Sequence, residues 1–116
     1  MAQMLERLED MLASGKDSML LRYTLGKSYA EQGDFARACG HLQAALAFDD
    51  HYSVAWKWLG KARLGQGDRA GARLAWQQGS AAAAARGDAQ VSKELAVFLK
   101  RLDKEDRARN EDHAGA

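Results

Sequence analysis

The chain has 116 residues, 17 basic and 16 acidic, for a formal net charge of +1. That length is enough for one domain with its own core, and the near balance of charge argues against a nucleic-acid protein, which needs a strongly basic face. No apolar run approaches the roughly 20 residues of a membrane span, and the lone Cys39 excludes an internal disulfide. The absence of proline suits a mostly helical chain. Met4, Leu5, Leu8, Met11 and Leu12 are spaced for an amphipathic helix that ends near Ser14-Gly15. Its carboxylates Glu6, Glu9 and Asp10 do not suit a signal peptide. A second helix is predicted from Ser18 to Gln32, with Leu21, Leu25 and Tyr29 inward. A third runs from Phe35 to Phe48 and buries Ala38, Leu42, Ala45 and Leu46. After the turn at Asp49-Asp50-His51, a fourth runs from Ser53 to Gln66, carrying Trp56, Leu59 and Leu64. The fifth spans Arg69 to Arg86 through an alanine block. Gly33-Asp34, Gly67-Asp68 and Gly87-Asp88 each read as a helix stop followed by a cap. The last helix, 88–103, carries Val91, Leu95, Phe98, Leu99 and Leu102 on one stripe. The charged segment 104–116 lacks an apolar period and is expected to be a disordered tail.

A phrase recurs after 34 residues. Leu25-Gly26-Lys27 returns as Leu59-Gly60-Lys61, Gln32-Gly33-Asp34 as Gln66-Gly67-Asp68, Ala38 as Ala72 and Leu42 as Trp76. A fixed period of this length marks stacked repeats. The second unit reads Trp56-x2-Leu59-Gly60, then Ala72-x3-Trp76. The first reads Leu25-Gly26-x2-Tyr29, then Ala38-x3-Leu42. The chain therefore resembles a tetratricopeptide repeat protein, whose unit is Trp-x2-Leu-Gly-x2-Tyr, then Ala-x3-Phe, then Pro. Arg22 stands for the first tryptophan, Arg63 for the tyrosine, and Asp50 and Ala84 for the prolines. The resemblance implies an all-α, right-handed α-solenoid of antiparallel helix pairs, about six helices in a single domain, 1–103. Within it, 1–15 is an N-terminal helix, 19–52 and 53–86 are the two repeats, and 88–103 is a capping helix. Projected back one period, Met4, Leu8 and Met11 fall on the phase of Ala38, Leu42 and Ala45, so the first helix reads as the second half of a truncated repeat. The last helix reads as the first half of another, with two residues inserted before it.

Motifs for chemistry do not assemble. Gly26-Lys27-Ser28 ends like a phosphate loop, but Leu21 stands where its first glycine belongs and the segment is mid-helix. Arg86-Gly87-Asp88 spells an adhesion tripeptide and reads as a stop and cap. Cys39 and His41 point to different helix faces, and His51 and His113 lie apart, so no metal ligand set is expected. Cys39, on a small-residue face, is expected to be buried and inert. Neither a cofactor nor a catalytic triad is indicated, and a non-enzymatic chain is expected.

The resemblance implies that the first helix of each repeat lines a concave groove. On this sequence that surface takes Leu20, Tyr23, Lys27 and Ala30 from the first repeat and Val54, Lys57, Lys61 and Leu64 from the second. Trp58 lies beside them, with Lys93, Val97 and Lys100 from the last helix. Trp58 either faces the groove or packs on the neighbouring repeat, while Trp56 takes the buried motif position. The candidate peptide-binding residues are Tyr23, Lys27, Lys57, Trp58, Lys61 and Lys93. Lysines supply point charges and aromatic rings supply flat area at low entropic cost. The expected partner is a protein or peptide, acidic or carboxylate-ended, with neither nucleic acid nor membrane involved and a cytoplasmic, bacterial setting. The alternative is a structural module whose terminal helices pair two chains into a homodimer or dock it into a larger assembly.

Overall fold

A computed structural model describes residues 2–115, and every element among them is an α-helix. The order is α1 (Ala2–Ala13), α2 (Met19–Glu31), α3 (Phe35–Phe48), α4 (Ser53–Gly65), α5 (Arg69–Arg86) and α6 (Ala89–Gly115). Met1, from the expected first helix, and Ala116, from the expected tail, lie outside the described residues. Neighbouring helices pack in sequence: α1 on α2, α2 on α3, α3 on α4, α4 on α5 and α5 on α6. The result is an α-solenoid of 55 × 32 × 20 Å. None of the described helices is long and apolar enough to cross a membrane.

The glycine-aspartate pairs set the helix hairpins. Gly33 and Gly67 take φ of 82° and 81°, the left-handed region that closes a helix at little cost for a residue without Cβ. The next amide then reaches back: Asp34 N donates to Tyr29 O at 2.9 Å and Asp68 N to Arg63 O at 2.9 Å. Each aspartate also opens the following helix, accepting from Arg37 N at 3.3 Å and Gly71 N at 2.8 Å. Asp88 repeats the pattern and also accepts from Ser53 Oγ at 3.0 Å, which ties the start of α4 to that of α6.

Packing between paired helices depends on the repeated Leu-Gly. Leu25, Leu59 and Leu95 are 0, 1 and 0 % exposed, and each such burial stabilises by about 1.5–3 kcal/mol. Beside the first two, Gly26 and Gly60 let the partner helix close in. A Cβ on Gly26 would fall 2.5 Å from Leu42 Cγ, and one on Gly60 would collide with the Trp76 indole. Polar networks fill the positions that depart from the repeat pattern. Arg22 pairs with Asp17 at 2.9 Å and donates to His41 Nδ1 at 3.2 Å. Arg63 donates to Gly71 O at 3.1 Å. Trp56, expected to be buried, is half-buried, and its indole N–H donates to Asp50 O at 2.7 Å.

Two expectations are corrected at the ends of the chain. In α1 the buried edge is Leu5, with Leu8 and Leu12 half-buried, while Met4 and Met11 are 44 and 42 % exposed. Ala38 and Ala45, which hold the same phase one period later, are fully buried. Glu9 fastens α1 instead, accepting from Tyr29 Oη at 2.8 Å and lying 3.4 Å from His41 Nε2. The segment from Lys104, expected to be disordered, continues α6 as helix to Gly115. Arg69 of α5 pairs with Asp106 at 2.7 Å and Glu105 at 3.3 Å, and Arg73 pairs with Asp103 and Asp106.

These pairs make α6 beyond Asp103 sensitive to pH. The hydrogen bond from Arg69 holds the Asp106 carboxyl below its usual range. A carboxylate depressed in the fold stabilises above its unfolded pKa, near 3.9, and that contribution is lost as pH falls through the lower folded value. Amide protection factors in residues 103–111, exchange rates corrected for their intrinsic pH dependence, are therefore expected to fall below about pH 4. Arg69→Ala with Arg73→Ala should give the same loss of protection at pH 7 while leaving α2 to α5 protected. Unchanged protection in the double variant would show that the arginines do not hold the segment.

Candidate functional site

Helices α2 and α4 meet around Trp58. Stacking by one period brings Lys27 of α2 beside Lys61 of α4, and helical spacing places Lys57 one turn from Lys61. The three ammonium groups ring the Trp58 indole at 5.7, 4.6 and 5.9 Å from its centroid for Lys27, Lys61 and Lys57. Lys61 is the most central, because it also lies 5.2 Å from the Phe98 ring. At such distances the ring faces attract the cations and hold them in place. One part of Trp58 packs against the buried core, and the lysines gather over the rest.

The lysines are not equivalent. Lys57 Nζ sits 3.0 Å from Glu94 Oε2, and its side chain is only 15 % exposed, so it is an internal ion pair bridging α4 to α6. Its backbone carbonyl also accepts from Trp76 Nε1 at 3.0 Å. Lys27 and Lys61 have no ion-pair partner among the described residues. Tyr23 stands edge-on to Tyr52, with ring centroids 5.1 Å apart. Burial, with a smaller contribution from Tyr52, pushes its phenol above the ordinary value, so it is neutral at physiological pH. Lys93 is exposed and borders a different hollow, with Ala83, Ala84, Gly87 and Asp88. The structure thus brings Tyr23, Lys27, Lys57, Trp58 and Lys61 to one area and leaves Lys93 outside it.

Next to Lys61 a hollow of about 370 Å³ opens between α4, α5 and α6, lined by Lys61, Leu64, Gly65, Trp76, Phe98 and Arg101. Its walls are apolar and aromatic and its two charged lining groups are cationic. Sequence reasoning missed Phe98, Arg101 and Glu94 as site residues. The signal was the insertion before α6: aligning Leu95 with Leu25 and Leu59 requires a shift of 36 residues from Leu59, which puts Glu94 at the repeat position of Trp58.

Two other groupings have structural explanations. Asp49, Asp50 and His51 bring three ligand atoms within 4.8 Å of one another. Asp49 is gripped by both Arg86 terminal nitrogens at 2.7 and 2.8 Å, and His51 pairs with Asp50 at 2.7 Å. Cys39, half-buried rather than buried, donates to Gln66 Oε1 at 3.4 Å. Burial pushes its thiol up, away from reactivity.

Comparison with known proteins finds strong similarities, and the following are among them. Over 101 residues the chain is 55 % identical to the TPR repeat-containing protein PA0015 of Pseudomonas aeruginosa, covering 87 % of this chain and 96 % of that protein. It is 64 % identical to protein BPP2914 of Bordetella parapertussis, whose solution structure superposes with a TM-score of 0.83 and coverage of 94 % of this chain and 95 % of the other. No family model matches the sequence.

Proposed function

The chain belongs to the tetratricopeptide repeat proteins, and from that premise we propose that it is a non-enzymatic interaction module that captures an acidic peptide or partner helix in its concave groove, in a bacterial cytoplasm. The observation that carries this reading is Lys27 and Lys61, unpaired among the described residues and held over Trp58 beside an apolar hollow. Lys61 and Arg101 meet carboxylates at the mouth, Phe98 and Trp76 receive an apolar side chain, and Tyr23 and Trp58 supply the flat ledge. Lys57 acts indirectly, holding α6 against α4 through Glu94.

The reading predicts a preference for short peptides in which a leucine or phenylalanine is flanked by aspartate or glutamate. In fluorescence anisotropy such peptides should bind tighter than lysine-flanked versions of the same core. Their affinity should fall about tenfold or more between 50 and 500 mM salt, since the charged groups lie at the surface. Equal affinity for acidic and basic versions would reject the electrostatic part of the proposal.

A further inference from the structure

We propose that the two ends of the solenoid are complementary halves of one repeat, and that chains associate head to tail by packing α1 of one copy on the outward face of α6 of the next. The proposal concerns a surface separate from the peptide groove. It begins from the register of the end helices. Leu95 is buried like Leu25 and Leu59, so α6 is a first helix of a repeat, and Ala96 occupies the position of Gly26 and Gly60. In both complete repeats the second helix drives a large side chain over that position: Leu42 meets Gly26 and Trp76 meets Gly60. Ala96 is exposed. The side chain that would cover it is present at the other end of the chain, because Leu8 lies one period before Leu42.

A second contact matches in the same way, with sizes reversed. Inside the chain, small Gly79 of α5 lies between large Trp56 of α4 and Leu95 of α6, where a Cβ would come within 2.7 Å of the Trp56 Cβ and 2.8 Å of the Leu95 Cδ1. The corresponding end positions are Met11, two periods before Gly79, and Ser92, the α6 counterpart of Trp56. A large side chain therefore faces a small one again. Met11 is 42 % exposed, and Ser92 borders an open hollow of about 380 Å³ between the end of α5 and the start of α6. Met4 and Met11 hold the repeat positions of Ala38 and Ala45, which are 0 % exposed inside a complete repeat, and α6 is a first helix with no second helix of its own repeat packed on it among the described residues.

The surfaces also agree in charge and continuity. Helix α1 carries exposed Glu6 and Asp10 against Arg7, whereas Lys93 and Lys100, exposed on α6, have no ion pair among the described residues. Packing α1 there extends the α2–α3 and α4–α5 interfaces already present in the chain. A second copy is therefore the occupant whose shape and spacing match. The joint is heterologous, so each dimer retains a free end and growth is concentration-dependent.

Sedimentation velocity on the full chain tests this, from about 10 μM to about 1 mM. Met4→Glu with Met11→Glu spoils the head, and Ala96→Arg spoils the tail. All three positions are exposed, and circular dichroism would verify that helicity is retained. The wild-type average mass should rise with concentration, and either variant should weaken association at least about tenfold by burying a charge in the joint. An equimolar mixture of the two variants should form a dimer and stop there, because each keeps the end the other needs. A monomer throughout the range, association unaffected by Ala96→Arg, or a mixture that stays monomeric would each overturn the proposal.

Discussion

Replacing Trp76 by alanine is expected to destabilise the protein by about 3–5 kcal/mol, the range for emptying a buried aromatic site. Trp76 is 3 % exposed, packs against Phe98 with centroids 5.2 Å apart, and donates from Nε1 to Lys57 O. The change removes packing from α4, α5 and α6 together and leaves a carbonyl without its donor. The partner glycine gives the diagnostic result. Gly60→Ala alone should destabilise by about 1–3 kcal/mol through overpacking, outweighing the roughly 1 kcal/mol that alanine gains over glycine in a helix. With Trp76 already removed, the clash has no second party, so Gly60→Ala should become neutral or stabilising. Urea unfolding of both single variants and the double variant measures that reversal. Additive losses would mean that Gly60 is required for a reason other than close approach of the indole.

The second large effect concerns binding. Lys27→Glu with Lys61→Glu changes the ammonium groups nearest Trp58, apart from the Glu94-paired Lys57, into carboxylates. A loss of about 2–3 kcal/mol, or about 30- to 150-fold in affinity for an acidic peptide, is expected. Helicity should be retained and the melting temperature should fall only slightly, because neither lysine is an ion-pair partner among the described residues and only their ring contacts are lost. Lys57→Glu is a poor substitute. It would set two carboxylates together at Glu94 and loosen α6, so lost binding there would not distinguish contact from unfolding. Unchanged affinity in the Lys27 and Lys61 variant would place the peptide site elsewhere.

Much of this fold was legible because the repeats state their own constraints. Gly33-Asp34 and Gly67-Asp68 serve as stop and cap in both copies, and a glycine beside a buried leucine marks each close approach. The ends were harder, since the partners that would define their faces are absent from the sequence. Met4 and Met11 fit the repeat phase but point to a side with no helix, and the segment from Lys104 is held by Arg69 and Arg73, more than 30 residues earlier. Alternation of Asp103, Glu105 and Asp106 with Arg107 and Arg109 was the local hint, since such pairs support a helix without an apolar face. At the site, the repeat positions that the resemblance implies gathered Lys27, Lys57 and Lys61 beside Trp58. Which lysine is neutralised depended on the register of α6 and hence on the insertion before it.

A heteronuclear NMR titration with matched acidic and basic peptides around one apolar anchor is the most direct test of the groove. The account predicts that the acidic peptide shifts the indole resonance of Trp58 and the amides around Lys27, Lys61, Phe98 and Arg101, with little change at Lys93. Shifts confined to α1 and the outward face of α6, or none with either peptide, would contradict a peptide site in the groove.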